Sequence, residues 1–249
     1  MFPGAWRRGA SWPRSAWGAC IASQYAGWAL KGEGFFALAS GPARALAAKE
    51  EVFQTLGYRE RHPVGVLVLE TRNIPPGPVI RKVAKDCGIE PEHLFLLVAP
   101  TASLAGSVQI AARVVETGLH KLMELGYDLA LVTAAFGTCP LAPIAVSDLE
   151  AMGRTNDGVL YGGRCFYTVA DPGEEIVRLL PRVPSLASRD YGTPFLKLLE
   201  RYGDFYRIDP LLFSPAEVII NNTATGKVHR AGRVNPELLK ESLLGVAGD

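Results

Sequence analysis

The sequence predicts an α/β protein on three observations. Apolar runs of strand length recur at residues 64–69, 94–98 and 129–135. Stretches of helical length separate them. Gly88 and Gly126 stand where such stretches end, the place where a left-handed residue closes a helix. Continuous apolar strands alternating with helices fit a sheet layered against helices.

The elements follow in order. Residues 18–30 are rich in small residues and read as a helix, and residues 35–39 as a short buried strand. Ser40-Gly41-Pro42 breaks that strand, and Pro42 suits the first turn of a helix running to about residue 56. A strand (64–69), a helix (78–87) and a strand (94–98) come next. The longest helix spans 107–125 and leads to the apolar run 129–135. Beyond residue 140 glycine and proline crowd the chain, which sets the expected boundary between a first lobe (1–140) and a second (141–249). The second lobe is expected to hold a helix at 193–201 and a hairpin of 217–221 with 227–231 around Thr225-Gly226. A closing helix starts at Pro236, with Asn235 as its cap.

Bulk properties narrow the function. A net charge of +1 gives no basic patch for nucleic acid. No run of 18 apolar residues is present to span a membrane. Pro13 and Arg14 interrupt what would otherwise resemble a secretion signal, so residues 1–16 read as a poorly structured lead. Four scattered cysteines, without C-x-x-C, argue against a zinc site and suit free thiols in a cytoplasm.

Along the long helix, Val108, Ala111, Val115, Leu119 and Leu122 form an apolar stripe. Gln109, Arg113, Glu116 and His120 share the other side at spacings of four, three and four. That side fits either a solvated face with a weak ion pair or a carboxylate held by a cation for acid–base work. Residues 99–107 (APTASLAGS) join a strand end to a helix start, where open α/β sheets bind ligands. Ser103 or Ser107 serves there as a helix cap or as a ligand contact. Ser40 to Arg44 has the same placement. No dinucleotide or phosphate-loop fingerprint occurs. GRTNDG (153–158) and SRDYG (188–192) read as polar turns.

Seven strings recur in order: SGPARAL (40–46), APTASLAGSVQ (99–109), ARVVETG (112–118), GRTNDGVLYGG (153–163), SRDYG (188–192), FYRIDPLLFSPAEV (205–218) and TGKVHRAG (225–232). Together they resemble the methenyltetrahydromethanopterin cyclohydrolases. The resemblance implies two α/β lobes with a large pocket between them and a homotrimer. It implies a one-carbon pterin substrate, with no metal and no redox cofactor. Its catalytic pair falls on Arg113 and Glu116, with Glu116 accepting the water proton and Arg113 orienting it. Ser40, Arg44, Thr101, Ser103, Gln109, Arg154, Asn156, Asp157, Arg189 and Asp190 are the expected substrate-binding residues. Family members carry an additional N-terminal region before the string that appears here at residues 22–28, so the chain is expected to lack it. Two rivals stand beside this reading. One is another pterin or folate enzyme on the same scaffold, such as a formyltransferase. The other is an inactive remnant that binds pterin or joins an oligomer. The pathway direction, formaldehyde oxidation or carbon reduction, stays open.

Overall fold

Two four-stranded mixed sheets carry the chain, each covered on one face by helices, so the fold is α/β. The structure is a computed structural model and describes residue 21 and residues 27–56, 58–203 and 207–245.

The first sheet has the order β1 (Trp28–Gly32), β2 (Phe35–Ser40), β3 (Gly65–Glu70), β4 (Leu94–Ala99). Its first two pairings are antiparallel and the last is parallel. Alternate residues Ala37, Ala39, Leu67 and Leu69 are buried beneath α1 (Ala43–Ala47) and α3 (Gly77–Cys87), joined by Val79 and Val83. The opposite face carries Phe36, Leu38, Ser40, Val66, Val68, Glu70, Phe95, Leu97 and Ala99. Phe95 and Leu97 on this face are 57% and 53% exposed.

The second sheet runs β5 (Val132–Thr138), β6 (Arg164–Val169), β7 (Glu217–Asn222), β8 (Lys227–Gly232). Only β6 and β7 are parallel. Cys165, Tyr167, Val218 and Ile220 form its core with Val114, Leu119 and Leu122 of α5 (Val114–Glu124). Between the sheets' strands in sequence lie α4 (Leu104–Ala112) and α5, and α4 packs against α6 (Asp148–Gly162). The remaining helices are α2 (Glu51–Leu56), α7 (Glu175–Leu179), α8 (Phe195–Tyr202) and α9 (Pro236–Leu244).

Several expectations change. Residues 28–30 begin a strand paired with β2, not the end of a helix. The earlier part of that expected helix lies outside the described residues, Ile21 excepted. The helix expected from Pro42 to residue 56 is two, parted at Ala48, whose φ is +47°. The sequence places the lobe boundary near 140; the first sheet ends at Ala99 and the second begins at Val132. β5 pairs with β6 and α5 packs into the second core.

The largest difference is α6. Residues 153–158 read from sequence as a polar turn, Asn, Asp and Gly all favouring one, yet they lie within a 15-residue helix. Here glycine serves close packing. A Cβ on Gly153 would stand 2.9 Å from Leu196 Cβ, and one on Gly162 2.6 Å from Pro140 Cγ. The helix pays for its poor propensity by letting α8 and the 139–140 segment approach. Ser147 caps its start: Ser147 Oγ accepts from Glu150 N at 3.2 Å, at capping-box spacing.

Candidate active site

The expected long helix 107–125 breaks at Arg113, whose φ of −85° and ψ of 2° end α4 and start α5. No glycine or proline marks the break. Neighbouring β6 anchors the new helix: Cys165 Sγ donates to Val114 O at 3.2 Å and Tyr167 OH to Val115 O at 2.9 Å. Arg113 therefore occupies the N-cap position of α5, and Glu116 falls in its first turn. A carboxylate there meets the positive end of the helix dipole. Arg113 Nε also donates to Glu116 Oε2 at 3.3 Å. The Glu116 side chain is 2% exposed and that of Arg113 18%. The pair is thus an inward-held carboxylate beside a partly accessible guanidinium, unlike the weak pairs of a solvated face. His120 stands one turn further on and pairs with Glu124 at 3.7 Å.

One turn before Arg113, Gln109 lines a small hollow over the open face of the first sheet. Leu38, Ser40, Val68, Leu69, Glu70, Ala99, Pro100 and Gly106 complete it. This is the carboxyl end of the parallel pair β3–β4, the expected ligand position. Thr101, just past β4, is buried and its hydroxyl donates to Glu70 Oε1. Ser103 caps α4: its Oγ accepts from Gly106 N at 3.0 Å and donates to Pro100 O at 2.7 Å. The loop is tied to the second half of the chain by Asp148, at the start of α6. Asp148 accepts from Ala102 N at 2.9 Å and from Arg72 Nε and Nη2 at 2.6 and 2.9 Å. The Arg72 bond holds the Asp148 carboxyl below the usual carboxylate range. Glu70 and Asp148 escaped the sequence reading. An acid closing the apolar run at residues 64–69 was the available sign of Glu70.

Ser40 and Gln109 thus line one hollow, Thr101 bonds to Glu70 in its wall, Ser103 caps the helix beside it, and Arg113 and Glu116 follow Gln109 by one and two turns. The others are placed differently. Arg44 is fully buried, bonded through Nε and Nη2 to Glu50 at 2.9 and 2.6 Å, and it lies over the Phe53 ring. Arg154 pairs with Glu150 at 2.6 Å, and Asn156 Nδ2 donates to Met152 O of its own helix. Arg189 is exposed, while buried Asp190 accepts from Tyr202 OH and Asp209 N at 2.8 Å each. Asp157 is fully buried and accepts from Phe195 N at the start of α8 and from Ser242 Oγ of α9. Arg44, Asp157 and Asp190 therefore tie elements together.

Burial pushes the Asp157 carboxyl up to about 7, and nearby Glu241 adds to the rise. A carboxyl protonated more readily in the folded than in the unfolded chain contributes stability below its unfolded value, which is lost as pH rises through its folded value. Between about pH 4 and 7 the wild-type chain is therefore expected to lose stability relative to Asp157→Asn, which carries no charge to bury. Melting temperatures of the two across that range check this; a gap independent of pH would contradict it.

The comparisons with known proteins agree with the arrangement. A family model described as Cyclohydrolase (MCH) matches residues 13–243. A methenyltetrahydromethanopterin cyclohydrolase of Methanocaldococcus jannaschii is 49% identical over 229 residues, covering 90% of this chain and 71% of that protein. That of Methylosinus trichosporium is 48% identical over 225 residues, covering 90% of this chain and 86% of the relative. That of Methanococcoides burtonii is 44% identical over 227 residues, with 90% and 71% covered. With a match of this extent, the chain belongs to the methenyltetrahydromethanopterin cyclohydrolase family.

Proposed function

We propose that this chain opens the methenyl ring of 5,10-methenyltetrahydromethanopterin with water to give the 5-formyl derivative. The observation that carries the reading is the Arg113–Glu116 pair, a buried carboxylate held at a helix start one turn from a hollow at the sheet end.

The bridging carbon lies between two nitrogens in a cation and is already electrophilic, so the chemistry needs no metal to polarise it. Water oxygen bonds to that carbon while Glu116 takes a water proton. The adduct then breaks its bond to N10, which receives a proton from Glu116, and the oxygen keeps a carbonyl after losing its remaining proton. One proton leaves to solvent for each cation consumed. A positioned general base of this kind contributes typically ~10²–10⁴-fold. Because the substrate is cationic, a carboxylate also favours its binding, so the rate depends on aiming Glu116 at the water as well as on its charge. Arg113 supplies that aim. Ser40, Thr101, Ser103 and Gln109 bind the substrate, with Arg154, Asn156 and Arg189 on the second half of the chain closing over it. The substrate pocket lies between the two lobes, over the open face of the first sheet.

We further place the enzyme in the cytoplasm, a setting that suits the free thiols of Cys87, Cys139 and Cys165. No helix among the described residues is long and apolar enough to cross a membrane. The open face of the first sheet, with Phe95 and Leu97 half uncovered, suits association of copies. The family resemblance puts their number at three. The reaction serves either formaldehyde oxidation or carbon reduction.

Loss of the methenyl chromophore in buffer treated exhaustively with chelator tests the reaction. Full turnover is expected without added metal. Activity that vanishes on chelation and returns with a divalent ion would defeat the metal-free mechanism; no turnover under either condition would defeat the reaction itself.

A further inference from the structure

The mechanism above leaves one carboxylate unused. Glu70 ends β3 in a row with Leu38 of β2 and Ala99 of β4, on the uncovered face of the first sheet. It lines the hollow together with Ser40 and Gln109. The Thr101 hydroxyl donates to its Oε1, and among the described residues no other hydrogen bond or ion pair reaches it. A half-buried carboxylate with no cation beside it, fixed by a buried threonine, is an expensive arrangement to keep idle. An ionised carboxylate is acceptor-only, with room for further bonds on both oxygens. The surrounding walls are apolar (Leu38, Val68, Leu69), and the remaining polar groups are an amide and a hydroxyl. Such a recess suits a flat heterocycle that presents N–H donors along one edge and a carbonyl beside them.

We propose that Glu70 recognises the amino-pyrimidinone edge of the substrate, accepting from its 2-amino group and its N3–H, with Thr101 as the residue that positions the carboxylate. The adjacent 4-oxo group then falls to the Gln109 amide or the Ser40 hydroxyl. Spacing supports this. Gln109 and Arg113 are one helical turn apart, ~6 Å along the axis. A pteridine lying along α4 with its amino edge at Glu70 therefore extends its other ring, which bears the methenyl bridge, toward Arg113 and Glu116. The assignment rests on the pterin reading above and makes Glu70 a determinant of specificity rather than a participant in the proton transfers.

The test compares two stable probes that differ only at that edge: pterin, with a 2-amino group, and lumazine, with a 2-oxo group. Both are titrated against the full chain by fluorescence. A carboxylate facing the 2-oxo group is repelled and one facing the amino group is satisfied. Hydrogen bonds to charged groups are strong enough that the wild-type chain is expected to prefer pterin by about tenfold or more. In Glu70→Gln, whose amide donates to a 2-oxo group, the preference is expected to disappear or reverse. Glu70→Asp keeps the charge but shortens the reach, and should weaken pterin binding without favouring lumazine. Thr101→Val should reduce the preference while leaving the sign unchanged. A wild-type chain that binds neither probe or binds both equally overturns the proposal, and so does a Glu70→Gln variant that keeps the pterin preference. Should Glu70→Gln fail to fold, the wild-type ratio and Glu70→Asp still decide. Turnover of the methenyl substrate is read separately. Turnover without probe discrimination removes Glu70's role alone; discrimination without turnover removes the hydrolytic reading alone.

Discussion

Replacing Glu116 with glutamine is expected to lower kcat by about 10²–10⁴-fold while leaving KM within a few-fold of the wild type, the signature of a lost general base. Glutamine has the same shape and can still accept a hydrogen bond from Arg113, so the first turn of α5 should persist and the melting temperature change little. What it lacks is the basicity to take a proton from water and pass it to N10. Arg113→Ala removes the Nε contact at 3.3 Å that aims the carboxylate, and its effect should also fall mainly on kcat. If the two residues act as one unit, the double variant will be little slower than the slower single one, because effects within a catalytic unit are not additive. His120 follows Glu116 by one turn and meets Glu124; His120→Ala should cost far less than either. Near-normal turnover in Glu116→Gln, or single effects that add, would remove the pair from the centre of the reaction.

The Arg113–Glu116 spacing was legible as two residues on one side of a helix, but the physical reason for their arrangement was not. On a continuous helix the two would make an ordinary i,i+3 pair, worth a few tenths of a kcal/mol. The break at Arg113 changes this by moving Glu116 into a helix's first turn. The break is anchored by Cys165 and Tyr167, half a hundred residues later in the chain. Local spacing holds no trace of such an anchor. Lys121 illustrates the same limit: it sits on α5 where charge suggests solvent, yet it is fully buried, and burial pulls its amine down to about 8. Strands β2, β3, β4 and the β7–β8 hairpin were readable because apolar runs and turn residues are local signals. α6 was misjudged because a glycine for close packing and a glycine for a turn look the same until the neighbour is known. β6 was missed for a related reason: it follows Gly162 and Gly163 directly and begins with an arginine. Among the binding candidates, Ser40 and Gln109 line one hollow. Asp157 inside α6 and Asp190 in the 188–190 turn each bond across to another element.

Gly106→Ala is the second substitution expected to act strongly, and its sign separates two physical effects. On helix propensity alone, alanine within α4 should stabilise the chain by up to ~1 kcal/mol. The packing predicts the reverse. A Cβ on Gly106 would stand 2.3 Å from Thr101 O and 2.8 Å from Pro100 O, and both are backbone atoms that no side-chain rotation can move. Either the 100–103 loop retreats, taking Thr101 away from Glu70, or α4 shifts and takes Gln109 with it. Forced overpacking of this kind typically costs ~1–3 kcal/mol. Misplacement by about 1 Å near reacting groups is enough for ~10²-fold in rate. The variant should therefore melt lower than the wild type and lose about one to two orders of magnitude in kcat/KM. Ser103→Ala, which removes the α4 cap but adds no bulk, provides the comparison. It should lose a similar ~1 kcal/mol of stability and, with one substrate contact removed, some activity, but less than Gly106→Ala, since the loop backbone need not move to accommodate it. If Gly106→Ala proves as stable as the wild type and turns over normally, the tight seat of the 100–103 loop on α4 does not govern the site. If Ser103→Ala loses as much activity as Gly106→Ala, the cap rather than the close approach sets the geometry at Thr101.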